Sequence, residues 1–210
     1  MEKNLDKYIR EHSSPEDKVL EDLYRQTNLY VVNPNMVSGH IQGKLLEMFS
    51  HMIHPSGILE IGTYTGYSAI CLSRGLKSGG KIHTIEINDE LREMSCRYFD
   101  LAGVTDKVVL HTGRAQDVIP TLNLTFDLVF IDGDKREYCE YYNLVFDKVR
   151  KGGFIIADNV LWGGKIENED AMKDPQTRGV INFNELIRKD NRVEKILLAL
   201  RDGLMIIRKK

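Results

Sequence analysis

Two short stretches hold most of the side chains able to do chemistry. In FDLVFIDGDK, residues 126–135, an apolar run ends on Asp132 and passes Asp134 to Lys135; in GGFIIADNV, residues 152–160, a second run ends on Asp158 and Asn159. Both runs read as buried strands, and adjacent parallel strands deliver the residues at their carboxyl ends to one crevice. Two carboxylates and one amide oxygen, from Asp132, Asp158 and Asn159, form a hard all-oxygen set. Such a set suits Mg²⁺, Mn²⁺ or Ca²⁺ and lacks the His or Cys that zinc favours. A structural alternative stands beside it: Asp132 or Asp134 caps the helix that follows, and Asp158-Asn159 makes a turn.

A third stretch, ILEIGTYTGYSAI at residues 58–70, ends a strand-like run on Gly62 and reaches Gly66 before turning helical. Glycine between a strand and a helix lets the backbone approach a ligand, and a helix amino terminus offers unpaired amides. Glu86 closes the next strand, 20 residues past Gly66, where a carboxylate meets a ribose diol in this kind of fold. The spacing is G-x-x-x-G rather than the dinucleotide fingerprint, and nothing marks a pyrophosphate cradle. The reading is a nucleoside without phosphate, such as S-adenosylmethionine, whose charged end uses polar groups near the turn, Ser68 among them. The alternative is two glycines that only relieve a tight turn.

The elements that must position these residues alternate regularly. The 210 residues suit one α/β domain with a sizeable core, and 42% hydrophobic with 29% charged residues is ordinary globular composition. Helices are expected near 5–11, from a Ser14-Pro15-Glu16 start, and over 38–51. From Gly57 the pattern runs ILEIG, helix 67–76, KIHTIEIN, helix 89–101, VVLHTG, a short helical turn, FDLVFID, helix 135–149 and GGFIIADNV. After a Gly-rich polar loop at 162–177 come a helix over 177–189 and two strands, VEKILLAL and LMIIRKK, joined by Arg201-Asp202-Gly203. Asp-Gly between two β-runs signals a hairpin, so the last strand is expected antiparallel to its neighbour. The polar amino terminus lacks the apolar core of a signal peptide, and no apolar run approaches the roughly 20 residues needed to span a bilayer. The cytoplasm is therefore expected. Cys71, Cys96 and Cys139 have no metal or disulfide spacing and read as buried reduced thiols. A net charge of −2 argues against a partner held mainly by phosphate contacts.

IGTYTGYS, IEIN, FIDGDKREY and above all IADNVLWGGKI resemble the caffeoyl-CoA O-methyltransferase group and its bacterial relatives. These are cation-dependent O-methyltransferases that also include catechol O-methyltransferase, and the likeness runs from about Leu29 to the closing RDGLMIIRKK. The resemblance implies the class I S-adenosylmethionine-dependent methyltransferase fold, Rossmann-like. It has a seven-stranded, mainly parallel sheet with the last strand antiparallel and helices on both faces. It also implies S-adenosylmethionine as donor, a divalent metal, usually Mg²⁺, on Asp132, Asp158 and Asn159, and a homodimer. Carried over by position, Met36 and Val37 line the cofactor, and Gly62, Tyr64 and Ser68 hold its methionine part. Glu86 binds the ribose hydroxyls, Ala115 and Gln116 flank the adenine, and Asp132 touches both cofactor and metal. Two departures stand out: Arg114 precedes Ala115 where a small or acidic residue is usual, and Gly133 replaces a more usual Ala, a change expected to be tolerated. A lone His40 in SGHIQG is taken as a packing residue rather than a site residue.

Given such a metal, both oxygens of a catechol can be held by one ion, and Lys135 can take the phenolic proton once nearby metal charge favours its neutral form. Methyl transfer then needs no covalent enzyme intermediate, in keeping with the lack of a Ser/His/Asp or Cys/His arrangement. Without the metal ligands, Lys135 reads as an exposed helix lysine. Trp162, opening the 162–177 loop, can stack on an aromatic acceptor or simply pack the loop. That loop and the helical segment over 1–50 are expected to cover the acceptor. A hydroxylated uridine in tRNA, helped by Lys148, Arg150 and Lys151, is the alternative acceptor to a catechol-like small molecule. An NAD-dependent dehydrogenase would share the glycine turn and Glu86 but leave the oxygen set unexplained. A noncatalytic nucleotide-binding module would show no turnover.

Overall fold

Seven strands, each an apolar run bounded by turn residues, form one sheet in the order β3-β2-β1-β4-β5-β7-β6. The computed structural model describes residues 2–210, with side chains from Leu5 onward; the first residue of the expected amino-terminal segment lies outside them. The strands are β1 (Gly57–Ile61), β2 (Lys81–Glu86), β3 (Val108–Thr112), β4 (Phe126–Ile131), β5 (Val149–Asp158), β6 (Val193–Leu198) and β7 (Leu204–Lys209). Pairing is parallel from β3 through β5, and β7 runs antiparallel to both β5 and β6. The expected hairpin is present, and its second strand is inserted into the sheet rather than added at the edge.

Among the described residues are eight α-helices, of which α2 to α8 pack around the sheet: α1 (Glu2–Glu11), α2 (Lys18–Tyr30), α3 (His40–Ile53), α4 (Tyr67–Ser73), α5 (Arg92–Leu101), α6 (Ala115–Thr121), α7 (Tyr138–Phe146) and α8 (Pro175–Lys189). Side chains alternate across the pleat, so β1 sends Leu59 and Ile61 into a core with Ile119, Tyr138, Tyr142 and Phe183. It sends Ile58 into the opposite core with Leu23, Leu46, Tyr67 and Ile70. Each such fully buried Leu, Ile or Phe contributes about 1.5–3 kcal/mol relative to exposure. Cys71 is buried as expected, but Cys96 is exposed. Among the described residues no helix is long and apolar enough to cross a membrane.

Several boundaries differ from the sequence expectation. Ser14 does not cap α2; Asp17 does, its carboxylate accepting from the Val19 amide at 2.8 Å. The helix expected over 135–149 is a 3₁₀ turn at Lys135–Glu137 followed by α7, which stops at Phe146. Val149 already pairs with Phe126, and the ladder then shifts register until Phe154 meets Leu128, with Gly152 (φ 74°) in the irregular stretch. That bulge made one long strand look like the end of a helix followed by a Gly-Gly turn. The 162–177 connection holds 3₁₀ turns at Trp162–Glu167 and Ala171–Lys173, and α8 begins at Pro175 with Asp174 as cap, accepting from the Thr177 amide at 2.9 Å.

Candidate active site

The carboxyl ends of β1, β2, β4 and β5 open into one cavity of about 830 Å³. Gly62 ends β1 with φ 101°, and a Cβ there would lie 2.3 Å from the Asp132 carbonyl oxygen, so only glycine lets the two strand ends approach. The Tyr64 amide, two residues on, donates to Glu86 Oε2 at 2.7 Å, and the Asn88 amide donates to Oε1 at 2.9 Å. Both oxygens of Glu86 are thereby fixed at the cavity wall. The Tyr64 hydroxyl reaches the carbonyls of Val32 and Asn33, each at 3.3 Å, which ties the turn to the segment carrying Met36.

On the far side, Asp132 follows β4 and accepts from Lys135 Nζ at 2.8 Å; the same ammonium donates to the Gly133 carbonyl at 3.1 Å. Lys135 is only 6% exposed, not the surface lysine of the alternative reading. Its Nζ sits 4.9 Å from the Tyr138 ring centroid and 5.8 Å from that of Trp162. Asp134, by contrast, does act as a cap, accepting from the Arg136 amide at 3.0 Å. A Cβ on Gly133 would come within 3.0 Å of the Tyr141 ring and 3.2 Å of Ile61, so an alanine there would press on Tyr141.

Asp158 ends β5 and is 4% exposed. Its Oδ2 accepts from Gln42 Nε2, and its Oδ1 accepts from the Asn159 amide at 2.7 Å. Burial, and then the charge of Asp132, push its carboxyl above the ordinary aspartate range. Two carboxylates that disfavour each other's charge, beside an amide oxygen, are a donor set that fits a hard divalent cation. Among the described residues no group of three His, Cys, Asp or Glu side chains could hold a metal; here the third donor would be Asn159. Non-glycine residues with left-handed backbone gather here: Tyr64 (φ 51°), Asn159 (φ 56°), Trp162 (φ 49°) and Arg201 (φ 49°) all line the cavity. Such conformations cost about 1–3 kcal/mol each and cluster where function needs a fixed geometry.

Of the residues singled out in the sequence, Met36, Gly62, Tyr64, Glu86, Ala115, Gln116, Asp132, Lys135, Asp158, Asn159 and Trp162 line this one cavity. Val37 and Ser68 do not. Val37 is packed in the core around α3 and α4, and Ser68 is buried on the first turn of α4. Gln116 keeps a buried Oε1 without a protein partner, and Trp162 keeps its indole N–H likewise. Arg114 leans across the rim to Glu137 at 3.4 Å. His40 is a packing residue, its Nε2 bonded to the Ser14 carbonyl at 2.7 Å.

Glu60 lies one pleat behind the turn and is fully buried. It accepts from the Thr84 hydroxyl, its Oε1 has no partner, and burial pushes its carboxyl up to about 8. Gln42, Arg201 and Asp202 were not singled out as site residues; Arg201 and Asp202 line the cavity and Gln42 touches Asp158. Gln42 and Arg201 are 159 positions apart, and no local pattern marks their meeting.

A family model described as O-methyltransferase matches residues 10–210. A catechol O-methyltransferase of Niastella koreensis is 34% identical over 173 residues, covering 80% of this chain and 75% of that protein. A caffeoyl-CoA O-methyltransferase of Petroselinum crispum is 33% identical over 185 residues, covering 83% and 77%. Among solved structures, an O-methyltransferase from Bacillus cereus in complex with SAH superposes with a TM-score of 0.88 at 30% identity, covering 99% of this chain and 97% of the other.

Proposed function

The chain belongs to the O-methyltransferase family, and from that premise we propose that it transfers a methyl group from S-adenosylmethionine to a hydroxyl of a catechol-like small molecule. In this proposal a divalent cation, Mg²⁺ in preference, is held by Asp132, Asp158 and Asn159. The observation that carries the reading is the convergence of these three oxygen donors, Lys135 and Glu86 on one cavity. When bound, S-adenosylmethionine supplies an electrophilic methyl group. The cation supplies positive charge that favours an ionised acceptor oxygen.

The chain's own residues bind, orient and move a proton. Glu86, with both oxygens fixed by backbone amides, receives the ribose diol, and Gly62 leaves room for the cofactor against the backbone. Tyr64 borders the methionine part and Met36 closes the wall; Ala115 and Gln116 flank the adenine, with the free Gln116 Oε1 as an acceptor for its amino group. Val37 and Ser68, set behind the wall, shape it through packing. Lys135 Nζ, in its neutral form and still donating to Asp132 and the Gly133 carbonyl, would take the acceptor's hydroxyl proton on its lone pair. Trp162 offers a ring face to an aromatic acceptor, and the 162–177 and amino-terminal segments exclude water above it. Holding oxygen, methyl and sulfur in line supplies much of the acceleration.

A homodimer is part of this proposal, and exposed apolar side chains such as Leu5, Tyr8, Leu29 and Tyr30 are in keeping with it. Three free thiols support a cytoplasmic setting.

The test is transfer of a radiolabelled methyl group to a catechol panel and to bulk tRNA, with and without Mg²⁺. Label should enter catechols only, and chelation should abolish it. Labelling that survives both chelation and Asp158→Ala would remove the metal from the mechanism; label in tRNA alone would overturn the acceptor class.

A further inference from the structure

The turn between β6 and β7 reaches the cation-binding residues by two routes. Its backbone braces the segment after β5: the Leu161 amide donates to the Asp202 carbonyl at 2.7 Å and the Val160 amide to the Gly203 carbonyl at 3.2 Å. Its side chains reach further. The Arg201 guanidinium donates to the carbonyls of Val37 and Ser38 and to Gln42 Oε1 at 3.0 Å, and Gln42 Nε2 in turn donates to Asp158 Oδ2. Asp202 Oδ2 accepts a longer contact from Asn159 Nδ2 at 3.5 Å.

The chemistry of this chain of contacts allows only one sense. Guanidinium is a donor without acceptor capacity, and a carboxyl oxygen without a proton is an acceptor only. A glutamine between them satisfies both only with Oε1 toward Arg201 and Nε2 toward Asp158. Arg201 therefore selects which end of Gln42 meets the carboxylate. With Oδ2 held by Gln42 and Oδ1 by the Asn159 amide, rotation of Asp158 is fixed. Arg201 holds this place on left-handed backbone, φ 49°, which glycine adopts freely and other side chains rarely do. The turn alone does not require an arginine; the side chain's reach does.

We infer that Arg201, acting through Gln42, is a positioning residue that presets the Asp158 carboxylate for the divalent cation; this rests on the metal reading proposed above. Outer contacts of this kind typically change metal affinity tenfold to about a hundredfold. The experiment titrates Mn²⁺ into protein saturated with S-adenosylhomocysteine, reading free Mn²⁺ by electron paramagnetic resonance. S-adenosylhomocysteine affinity and melting temperature are measured alongside. Arg201→Met should weaken Mn²⁺ binding by roughly tenfold to a hundredfold and leave S-adenosylhomocysteine affinity within about twofold. Gln42→Met breaks the same relay without touching the turn and keeps the test open should Arg201→Met fold poorly. The double variant should bind Mn²⁺ no more weakly than the worse single one, because both remove one interaction. Additive losses, or equal losses of Mn²⁺ and S-adenosylhomocysteine binding, overturn the relay. Asp158→Ala separates the two ideas. If it abolishes Mn²⁺ binding while Arg201→Met binds as wild type, the relay alone fails; if it binds Mn²⁺ normally, the metal reading falls and the relay with it.

Discussion

Glu60→Gln is expected to change stability with a sign that depends on pH. The carboxyl titrates near 4.5 when unfolded and near 8 in the folded protein, raised chiefly by burial, and further by the charges of Asp132 and Glu86. A folded-state pKa raised in an acid means the native protein binds the proton more tightly. Its stability is therefore complete below about pH 4.5 and declines as pH rises toward about 8. At about pH 7.5 the unfolded carboxyl gains about 4 kcal/mol by ionising, while the folded one gains almost nothing. At about pH 5 the unfolded gain is only about 0.8 kcal/mol. Glutamine removes this term but sets an amide N–H where Oε1 has no partner, at a cost of about 1–3 kcal/mol. The variant should thus be more stable than wild type by about 1–3 kcal/mol near pH 7.5, and equal or less stable near pH 5. The swing of about 3 kcal/mol does not depend on the amide cost, because that cost is the same at every pH. In a chain of this size it corresponds to a change of about 6–12 °C in the difference between the two melting temperatures. Thermal unfolding of both ligand-free proteins from about pH 5 to about pH 8.5 measures it. A melting difference constant to within a degree or two across that range would refute the reasoning.

Three further outcomes are expected. Gly62→Ala forces a Cβ to 2.3 Å from the Asp132 carbonyl on left-handed backbone, and should cost more than about 4 kcal/mol and abolish S-adenosylhomocysteine binding by calorimetry; a soluble variant of near-normal melting temperature would contradict the close approach. Lys135→Met should lower the single-turnover methyl-transfer rate by about 10²–10⁴-fold while S-adenosylhomocysteine affinity changes little; a rate within about threefold of wild type would remove the lysine from the proton transfer. Tyr138→Phe deletes the hydroxyl that reaches the carbonyls of Ile131 at 3.3 Å and Asp158 at 3.0 Å, and should lower the melting temperature by about 2–4 °C for a loss of about 1 kcal/mol.

What could be read from the sequence follows the range of the forces involved. Runs such as LVFI and FIIA announce strands because a sheet covered on both faces needs every side chain apolar, and the residues that end them project together by topology. So Gly62, Glu86, Asp132, Asp158 and Asn159 were legible. Asp17 was not, because Ser14-Pro15-Glu16 offers an equally good local start and only the packing of Leu20 and Leu23 decides between them. The Gly152 bulge hid the first residues of β5, since their partner, Phe126, lies on another strand. Val37, just after a 3₁₀ turn, and Ser68, on the first turn of α4, are both packed inward, and no local pattern marks which way they face. Gln42 and Arg201 carry no local signature; their meeting is a property of the folded sheet.

The place of β7 also bears on when the molecule becomes competent during its synthesis. β5 bears Asp158 and Asn159 at its end, and one of its two neighbours is the last of the seven strands in chain order. While a ribosome adds the roughly 50 residues between that end of β5 and the completion of β7, at about 5–20 residues per second, the segment stays unbraced for several seconds. Hydrogen bonds from Leu161 and Val160 to the closing turn form only when β7 slots between β5 and β6. A nascent chain can therefore build its first five strands and their helices without a finished cavity wall after β5. Competence arrives as a late event, coincident with the sheet's completion, and a chain halted before residue 204 lacks a central strand rather than an edge.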